Sequence, residues 1–419
     1  MAVSPGDTLT LEVERPAVGG RMIARHDGAV VLVAGAIPGE RVVAAVERVQ
    51  RHTVFARTVD VLEPSPDRVA ADPALACGGN VLAHVSAPRQ AALKGEMLTD
   101  AFRRLARTDV GRVPVVAGPA DGYRTRARAH VRRGRWGFFE ASTHALCAIA
   151  GTRQLSADGA ARLEAICAAV AGATPHAAEV EWAESLDGAR FAAHVDVAGR
   201  VPRGGIGTRS DVQGLSWSGD GRESREGFGE PFVVDTLRGA DGREVTIRHH
   251  VRSFFQGNRY LLQVLVDDVA GRVDADAAAD LYAGVGLFSV RLAADGRTVA
   301  AVEADRYAAG DLAAHARDWP ALVAHHATVE AFVAAGGLDA VPVVVVDPPR
   351  TGLAPAVAAA VARSAARRIV YVSCDPATLA RDVGLLIADG FALADLRAFD
   401  LFPRTAHVEA VATLERPAR

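Results

Sequence analysis

Asp280-Leu281-Tyr282-Ala283-Gly284-Val285-Gly286 decides the fold class, because these residues join an apolar run to a helical run through two glycines. Glycines at a strand-to-helix turn let a nucleotide cofactor approach the backbone at the helix N-terminus. Glu303 follows Gly284 by 19 residues, and an acid at about this distance commonly binds ribose hydroxyls. The pattern fits a dinucleotide or S-adenosylmethionine, and Ser289 in place of a third glycine favours S-adenosylmethionine. An ordinary strand-to-helix turn is the alternative.

The region around this turn alternates strand-like and helical runs. From about residue 249, apolar runs at 278–283, 299–302, 341–346 and 369–372 are separated by alanine-rich helical stretches. Such alternation is typical of a parallel sheet with helices on both faces. We therefore predict an α/β fold for the chain's C-terminal part, with a Rossmann-like domain over residues 249–419.

Two of these strands place chemically useful side chains at the same edge of the sheet. Asp347 follows four valines and precedes two prolines, and Cys374 follows the apolar run 369–372. Sheets of this class hold their sites at the carboxyl ends of the strands. Asp375-Pro376 should open a helix, whose N-terminus would lower the pKa of the Cys374 thiol. A capping role for Asp347 and a structural role for Cys374 are the alternatives.

Glu409 interrupts an otherwise apolar strand near the C-terminus. A buried carboxylate is costly unless it has a partner, so it often has a function. A glutamate on the solvated face of a strand is the alternative interpretation.

Residues 1–63 have the pattern of a small β-barrel. Apolar and polar residues alternate over 9–14, and glycine turns separate further strand-like runs at 29–33, 42–46 and 54–62. About five short strands predict an OB-like β-barrel. Such barrels often bind RNA, although a barrel without a ligand gives the same pattern.

Residues 64–248 are predicted to form a central α+β domain after the linker Glu63-Pro64-Ser65-Pro66. Its segment 103–135 is the most basic in the chain, and Arg124, Arg126 and Arg128 alternate, so that on a strand they would share one face. Aromatic residues flank them, which is typical of an RNA-facing surface. A solvated charged face is the alternative.

Composition restricts the remaining possibilities. Net charge is only -3, and of the 47 lysines and arginines Lys94 alone is lysine. Arginine suits contacts with phosphates and bases, but a GC-rich coding sequence produces the same bias. Four cysteines make no disulfide framework and indicate a reducing compartment. Nothing in the sequence indicates a signal peptide, a membrane span or an obligate protein partner, so we predict a cytoplasmic protein.

Together these motifs closely resemble the RNA (uracil-C5)-methyltransferase family, whose members modify 23S rRNA or the T-loop of tRNA. Residues 20–40 look like the family's N-terminal TRAM barrel, and 123–147 resemble the start of its central domain. The C-terminal motifs run in family order at 254–258, 280–286, 302–305, 347–350, 373–382 and 402–409. A full barrel favours the 23S rRNA branch, because the bacterial tRNA-specific branch usually lacks it.

The resemblance implies roles for particular residues. Cys374 would be the nucleophile that attacks C6 of uracil, and Glu409 the base that removes the C5 proton. The binding site for S-adenosylmethionine and the base would be formed by Gln256, Tyr282, Gly284, Gly286, Glu303 and Asp347. Leu287 and Thr328 stand where some members have asparagines near the cofactor. The target uracil would leave its stack to reach the pocket.

One departure from the family concerns an iron–sulfur cluster. Many relatives bind [4Fe–4S] through four cysteines of the central domain. Here Cys77 and Cys147 match two of the ligands, whereas Ala71 and Asn80 occupy the other two ligand positions. Such clusters normally need four thiolates, so we predict none.

Overall fold

The computed structural model describes residues 3–70, 77–141, 143–207 and 212–417. Ala71, one of the positions compared with the cluster motif, lies outside these ranges.

The N-terminal strands close into a barrel, as the glycine turns and alternation predicted. The strands are β1 (Thr8–Pro16), β2 (Met22–His26), β3 (Ala29–Ala34), β4 (Arg41–Gln50) and β5 (Thr53–Glu63), hydrogen-bonded in the order β1-β2-β3-β5-β4. Leu9, Leu11 and Val13 are buried while their neighbours are exposed. The buried Glu40 carboxylate accepts two hydrogen bonds of 2.6 Å from Arg68, which fixes the linker against the barrel.

The central part contains a seven-stranded sheet that packs against one long helix. A different helix and a short strand precede this sheet in the chain. Helix α1 (Ala87–Ala101) ends in a π-helical turn, and the short strand β6 (Val115–Val116) follows. The sheet strands are β7 (Arg126–Arg132), β8 (Arg135–Phe139), β9 (Leu146–Cys147), β10 (Ala178–Glu184), β11 (Phe191–Val197), β12 (Gly214–Gly219) and β13 (Arg222–Gly229), in the order β13-β12-β11-β10-β7-β8-β9. Helix α2 (Ala157–Ala173) contributes Leu163, Ile166 and Val170 to the core on one face of this sheet.

The C-terminal part contains the βα series that the sequence predicted. Its elements are β14 (Phe232–Arg238), β15 (Glu244–His250), α3 (Leu262–Gly271), β16 (Ala277–Leu281), α4 (Leu287–Ala294), β17 (Thr298–Glu303), α5 (Arg306–Asp318), β18 (Leu322–His326), α6 (Val329–Ala334), β19 (Val343–Val346), α7 (Pro355–Arg363), β20 (Arg368–Ser373), α8 (Pro376–Ala388), β21 (Ala392–Phe399) and β22 (Glu409–Glu415).

The large sheet has eight strands in the order β18-β17-β16-β19-β20-β22-β21-β6. Strands β16 to β20 pair in parallel, whereas β22 runs antiparallel to both neighbours. Two elements from within the predicted central domain 64–248 join this part. Strand β6 pairs with β21, and the β14–β15 hairpin adds Leu237, Val245 and Ile247 to the core formed by α3 and α4.

Candidate active site

Three strand ends bring together the two predicted catalytic residues and one predicted binding residue, Asp347. Asp347 follows β19, Cys374 follows β20, and Glu409 begins β22. Because β22 runs antiparallel to β20 and pairs Ala410 with Ser373, its start lies beside the end of β20. Cys374 and Glu409 are therefore each one residue beyond a paired position, on neighbouring strands.

The pKa of the Cys374 thiol differs from the sequence prediction. Helix α8 does begin just after it, and Asp375 caps this helix by accepting a hydrogen bond of 2.7 Å from the Thr378 amide. Burial and the neighbouring carboxylates of Glu409 and Asp347 nevertheless raise the pKa of Cys374 to about 11. Arg350 acts in the opposite direction through its charge and a hydrogen bond. The prediction of a lowered pKa was therefore wrong for the free protein, because desolvation outweighs the helix terminus.

Glu409 is buried, Asp347 is half-buried, and the charge of Asp347 acts on Glu409. Burial and then the charge of Asp347 raise the pKa of Glu409 well above its usual range, while Arg350 lowers it. Burial, together with Asp280, raises the pKa of Asp347. Glu409 is 1% exposed, and its Oε1 has no hydrogen-bond partner among the described residues. This carboxyl is therefore buried toward the site rather than on a solvated strand face.

The glycine turn after β16 has the geometry of a cofactor-binding turn. Gly284 and Gly286 have φ of +57° and +93°, and a Cβ built on Gly284 meets nothing within 4 Å. Glu303, at the end of β17, accepts hydrogen bonds from the Gly284 amide (2.8 Å) and the Asp305 amide (2.6 Å). The open space at Gly284, beside a carboxylate, fits the ribose end of an adenosine cofactor.

Gln256 lines a cavity of about 290 Å³ between the central sheet and the C-terminal part. The side chain is 5% exposed, and its Oε1 has no partner within the described part of the chain. The walls of the cavity include Arg124, Arg126, Arg128, Phe254 and Phe402. A buried acceptor without a partner is costly, so Gln256 Oε1 is suited to meet a ligand donor.

The three alternating arginines share this cavity wall, as their spacing predicted, but each also bonds to protein. Arg124 donates to Gln154 Oε1 (2.7 Å), Arg126 to the Val251 carbonyl (2.7 Å) and Arg128 to Glu181 (2.7 Å). Burial lowers the pKa of Arg126 to about 10. RNA contact by this face stays a prediction.

Tyr282 and the two residues at the asparagine positions, Leu287 and Thr328, are placed less directly in the site. Tyr282 adopts φ of +62° and lines a separate cavity of about 700 Å³ with Glu330 and Leu353. Burial raises its pKa to about 12. Leu287 is buried at the start of α4, and Thr328 Oγ1 accepts a hydrogen bond from the Ala331 amide. Neither residue offers the amide group that asparagine would.

Two residues to which the sequence analysis gave no role contact the site or the loop next to it. Arg350, in the motif at 347–350, lies near enough to Cys374 to lower the pKa of its thiol. Lys94 is fully buried and bonded to the loop that precedes Glu409. The position of Arg350 in the motif could have indicated its place in the site. Lys94 stands out as the one lysine among 47 lysines and arginines, but the composition does not indicate what it contacts.

The two cysteines that match cluster ligands are joined to each other. A disulfide links Cys77 to Cys147, with Cα atoms 5.9 Å apart. Both sulfurs are thereby occupied, so the residues present do not fit a four-thiolate cluster. No group of three or more His, Cys, Asp or Glu side chains within the described ranges is arranged to hold a metal ion. A disulfide also differs from the expectation of a reducing compartment, which rested on the few cysteines.

Across the described residues, no helix is long and apolar enough to cross a membrane.

Comparison with known proteins agrees with this geometry. The family model for tRNA (Uracil-5-)-methyltransferase matches residues 339–417, and the TRAM domain model matches 2–59. An uncharacterized RNA methyltransferase of Streptomyces coelicolor is 34% identical, with 99% of this chain and 94% of the relative covered. The 23S rRNA (uracil(1939)-C(5))-methyltransferase RlmD of Methylococcus capsulatus is 31% identical, with 98% of each chain covered.

A solved structure confirms the fold. The tRNA (uracil-54, C5)-methyltransferase of Pyrococcus abyssi, in complex with S-adenosyl-L-homocysteine, superposes with a TM-score of 0.73 over 97% of this chain and 100% of the other, at 23% identity. The predicted TRAM barrel and α/β C-terminal domain are thus confirmed. With full-length relatives above 30% identity, the chain belongs to the RNA (uracil-C5)-methyltransferase family and is an S-adenosylmethionine-dependent RNA methyltransferase.

Proposed function

We propose that this enzyme methylates C5 of a uracil in 23S rRNA through a covalent bond between Cys374 Sγ and C6 of the base. The convergence of Cys374, Glu409, Asp347 and Arg350 at one sheet edge carries the proposal, because it combines a nucleophile, a base and a cation. The names of relatives that are covered over 87% to 98% of their length favour rRNA as the substrate.

The chemistry requires both groups because uracil C5 alone is a weak nucleophile. Attack of the Cys374 thiolate on C6 moves electrons toward C5, which then accepts the methyl group that S-adenosylmethionine supplies when bound. Glu409 removes the remaining C5 proton. The C5–H electrons form the C5–C6 double bond, and the C6–S bond breaks with its electrons returning to Sγ.

Both groups must lose a proton before they act. Cys374 must become a thiolate although its pKa is raised, and Arg350 is the cation that favours this form. Glu409 must become a carboxylate although burial and Asp347 favour its acid form. The unpartnered Oε1 of Gln256 is an acceptor for the N3–H of uracil, and the unpartnered Oε1 of Glu409 is available to take the C5 proton.

The test uses methyl-labelled S-adenosylmethionine with unmodified 23S rRNA and tRNA transcripts in separate reactions. Labelled 5-methyluridine in 23S rRNA is the expected product, and label in tRNA alone would identify the tRNA T-loop alternative. No label in either RNA would favour a non-catalytic RNA-binding role. Cys374→Ala should bind RNA without methylating it, whereas Glu409→Gln should accumulate a methylated RNA–protein adduct that survives denaturing electrophoresis.

A further inference from the structure

The loop 400–408, between β21 and β22, leads directly into Glu409 and is held by a buried lysine. Lys94 projects from α1 and is 0% exposed. Its Nζ donates to Asp400 Oδ1 at 2.5 Å and to the Phe402 carbonyl at 2.9 Å. One ammonium therefore joins a side chain and a backbone carbonyl two residues apart in this loop.

Neighbouring contacts tie the same loop to three other segments of the chain. Gln90, one helical turn before Lys94, accepts a hydrogen bond of 2.8 Å from the Arg404 amide. Asn258 donates to the Leu401 carbonyl at 2.9 Å. The barrel approaches as well, since a Cβ on Gly20 would lie 2.8 Å from Ala406 Cβ. Lys94 is the charged centre of this set of contacts.

The choice of lysine at this site indicates a geometric requirement. The chain has no other lysine, and the remaining members of its 47 lysines and arginines are all arginine, including Arg68 at the buried Glu40. Burying an ammonium is costly, and burial lowers the pKa of Lys94 against the opposing effect of Asp400. A compact ammonium can bond to two acceptors at one point, whereas the planar guanidinium is larger and spreads its donors over a fork.

We propose that Lys94 is a positioning residue for Glu409, fixing the loop 400–408 so that the carboxylate reaches the C5 proton of the methylated adduct. The proposal rests on the function proposed above. Cys374 and Asp347 follow β20 and β19 and lie outside this loop. Loss of Lys94 therefore affects proton removal and cysteine release more than attack of the thiolate.

The decisive variant is Lys94→Met, compared with wild type in reactions containing S-adenosylmethionine and the RNA that wild type methylates. The ratio of methylated covalent adduct to released 5-methyluridine should rise on the order of 10- to 100-fold, the cost typical of misplacing a catalytic group by about 1 Å. The rate of adduct formation should stay within a few-fold of wild type. Glu409→Gln marks the expected extreme of this behaviour.

Two further variants separate positioning from folding. Lys94→Met leaves the Asp400 carboxylate buried without its cation, so Lys94→Met with Asp400→Asn removes that charge as well. The double variant should melt closer to wild type and still accumulate adduct, because the Phe402 carbonyl loses its bond from α1 and keeps only the bonds from Thr405 within the loop. Arg89→Met, on the same helix at an ion pair with Glu96, is the control and should leave the ratio unchanged.

The outcomes distinguish the two proposals. If wild type forms no 5-methyluridine, the proposed function fails and the role of Lys94 fails with it. If wild type turns over and Lys94→Met shows the wild-type ratio, only the positioning role is overturned. Parallel loss of adduct and product in both Lys94 variants, with a lowered melting temperature, would also overturn it, because that pattern describes a purely structural residue.

Discussion

The two glycines of the cofactor turn should respond differently to the same substitution. Gly286 has φ of +93°, and a Cβ there would lie 2.7 Å from Leu312 Cδ1 in the buried face of α5. Gly284 has φ of +57° and open space where its Cβ would be. Gly296, with φ of +87° and nothing within 4 Å, has nearly the backbone of Gly286 without its close neighbour. Alanine variants at these three positions therefore distinguish the effects of backbone strain, of side-chain packing and of lost space for the cofactor.

The magnitudes follow from that separation. Positive φ costs a non-glycine residue about 1–3 kcal/mol, which applies to all three alanine variants. Gly286→Ala adds an overpacking cost of about 1–3 kcal/mol, because Leu312 is 1% exposed and must move within a packed core. We expect Gly286→Ala to lose about 2 kcal/mol more stability than Gly296→Ala. In a domain of this size the difference corresponds to about 4–8 °C in melting temperature.

Thermal unfolding and calorimetric titration with S-adenosylmethionine test this together. Gly284→Ala should unfold close to Gly296→Ala but bind S-adenosylmethionine at least about tenfold more weakly, a loss of about 1.4 kcal/mol. Equal melting temperatures for Gly286→Ala and Gly296→Ala would refute the packing argument. Unchanged affinity in Gly284→Ala would refute the assignment of the open space to the cofactor.

The other predictions concern charge, thiols and a buried carboxylate. Arg350→Met should slow iodoacetamide alkylation of Cys374 at pH 8 several-fold, because Arg350 lowers the pKa of this thiol; an unchanged or faster rate would contradict the electrostatic assignment. For wild type, alkylation should keep rising between pH 7 and 9.5, since the thiol pKa is about 11, and a plateau below pH 9 would show that the thiol is more acidic. Titration of the unfolded, unreduced protein should find the two free thiols Cys167 and Cys374, and reduction should add Cys77 and Cys147; four thiols before reduction would exclude the disulfide. Asp382→Ala should lower the unfolding free energy by about 2–4 kcal/mol, because the Tyr371 hydroxyl (2.7 Å) and the Leu353 amide (2.9 Å) lose their buried acceptor, whereas Asp389→Ala at the exposed end of α8 should cost little.

Local patterns in the sequence were sufficient for much of the architecture. The period of two in residues 9–14 predicts a strand with one buried face, and β1 has that burial pattern. Apolar runs that end in Asp347 and Cys374 predict side chains at one sheet edge, because parallel strands end on the same side. These inferences succeed because strand periodicity and strand direction are encoded by neighbouring residues.

Properties that depend on distant residues were not predictable in the same way. Cys77 and Cys147 are separated by 70 positions, and only the fold brings β9 beside the turn at Cys77. The contact between Lys94 and Asp400 spans 306 positions and joins α1 to the far end of the large sheet. Nothing near Lys94 in the sequence identifies its acceptors, although its uniqueness distinguished it from the other basic residues.

The pKa of Cys374 shows how a correctly predicted local feature can still lead to the wrong direction for a pKa shift. Helix α8 does begin at Pro376, and a helix N-terminus favours a thiolate by an amount typical of partial charges, up to about 2 kcal/mol. Two carboxyl groups from β19 and β22 and the surrounding protein act against it. Because β22 approaches from elsewhere in the chain, the balance is fixed by tertiary structure. The base that the reaction requires therefore also raises the pKa of the nucleophile.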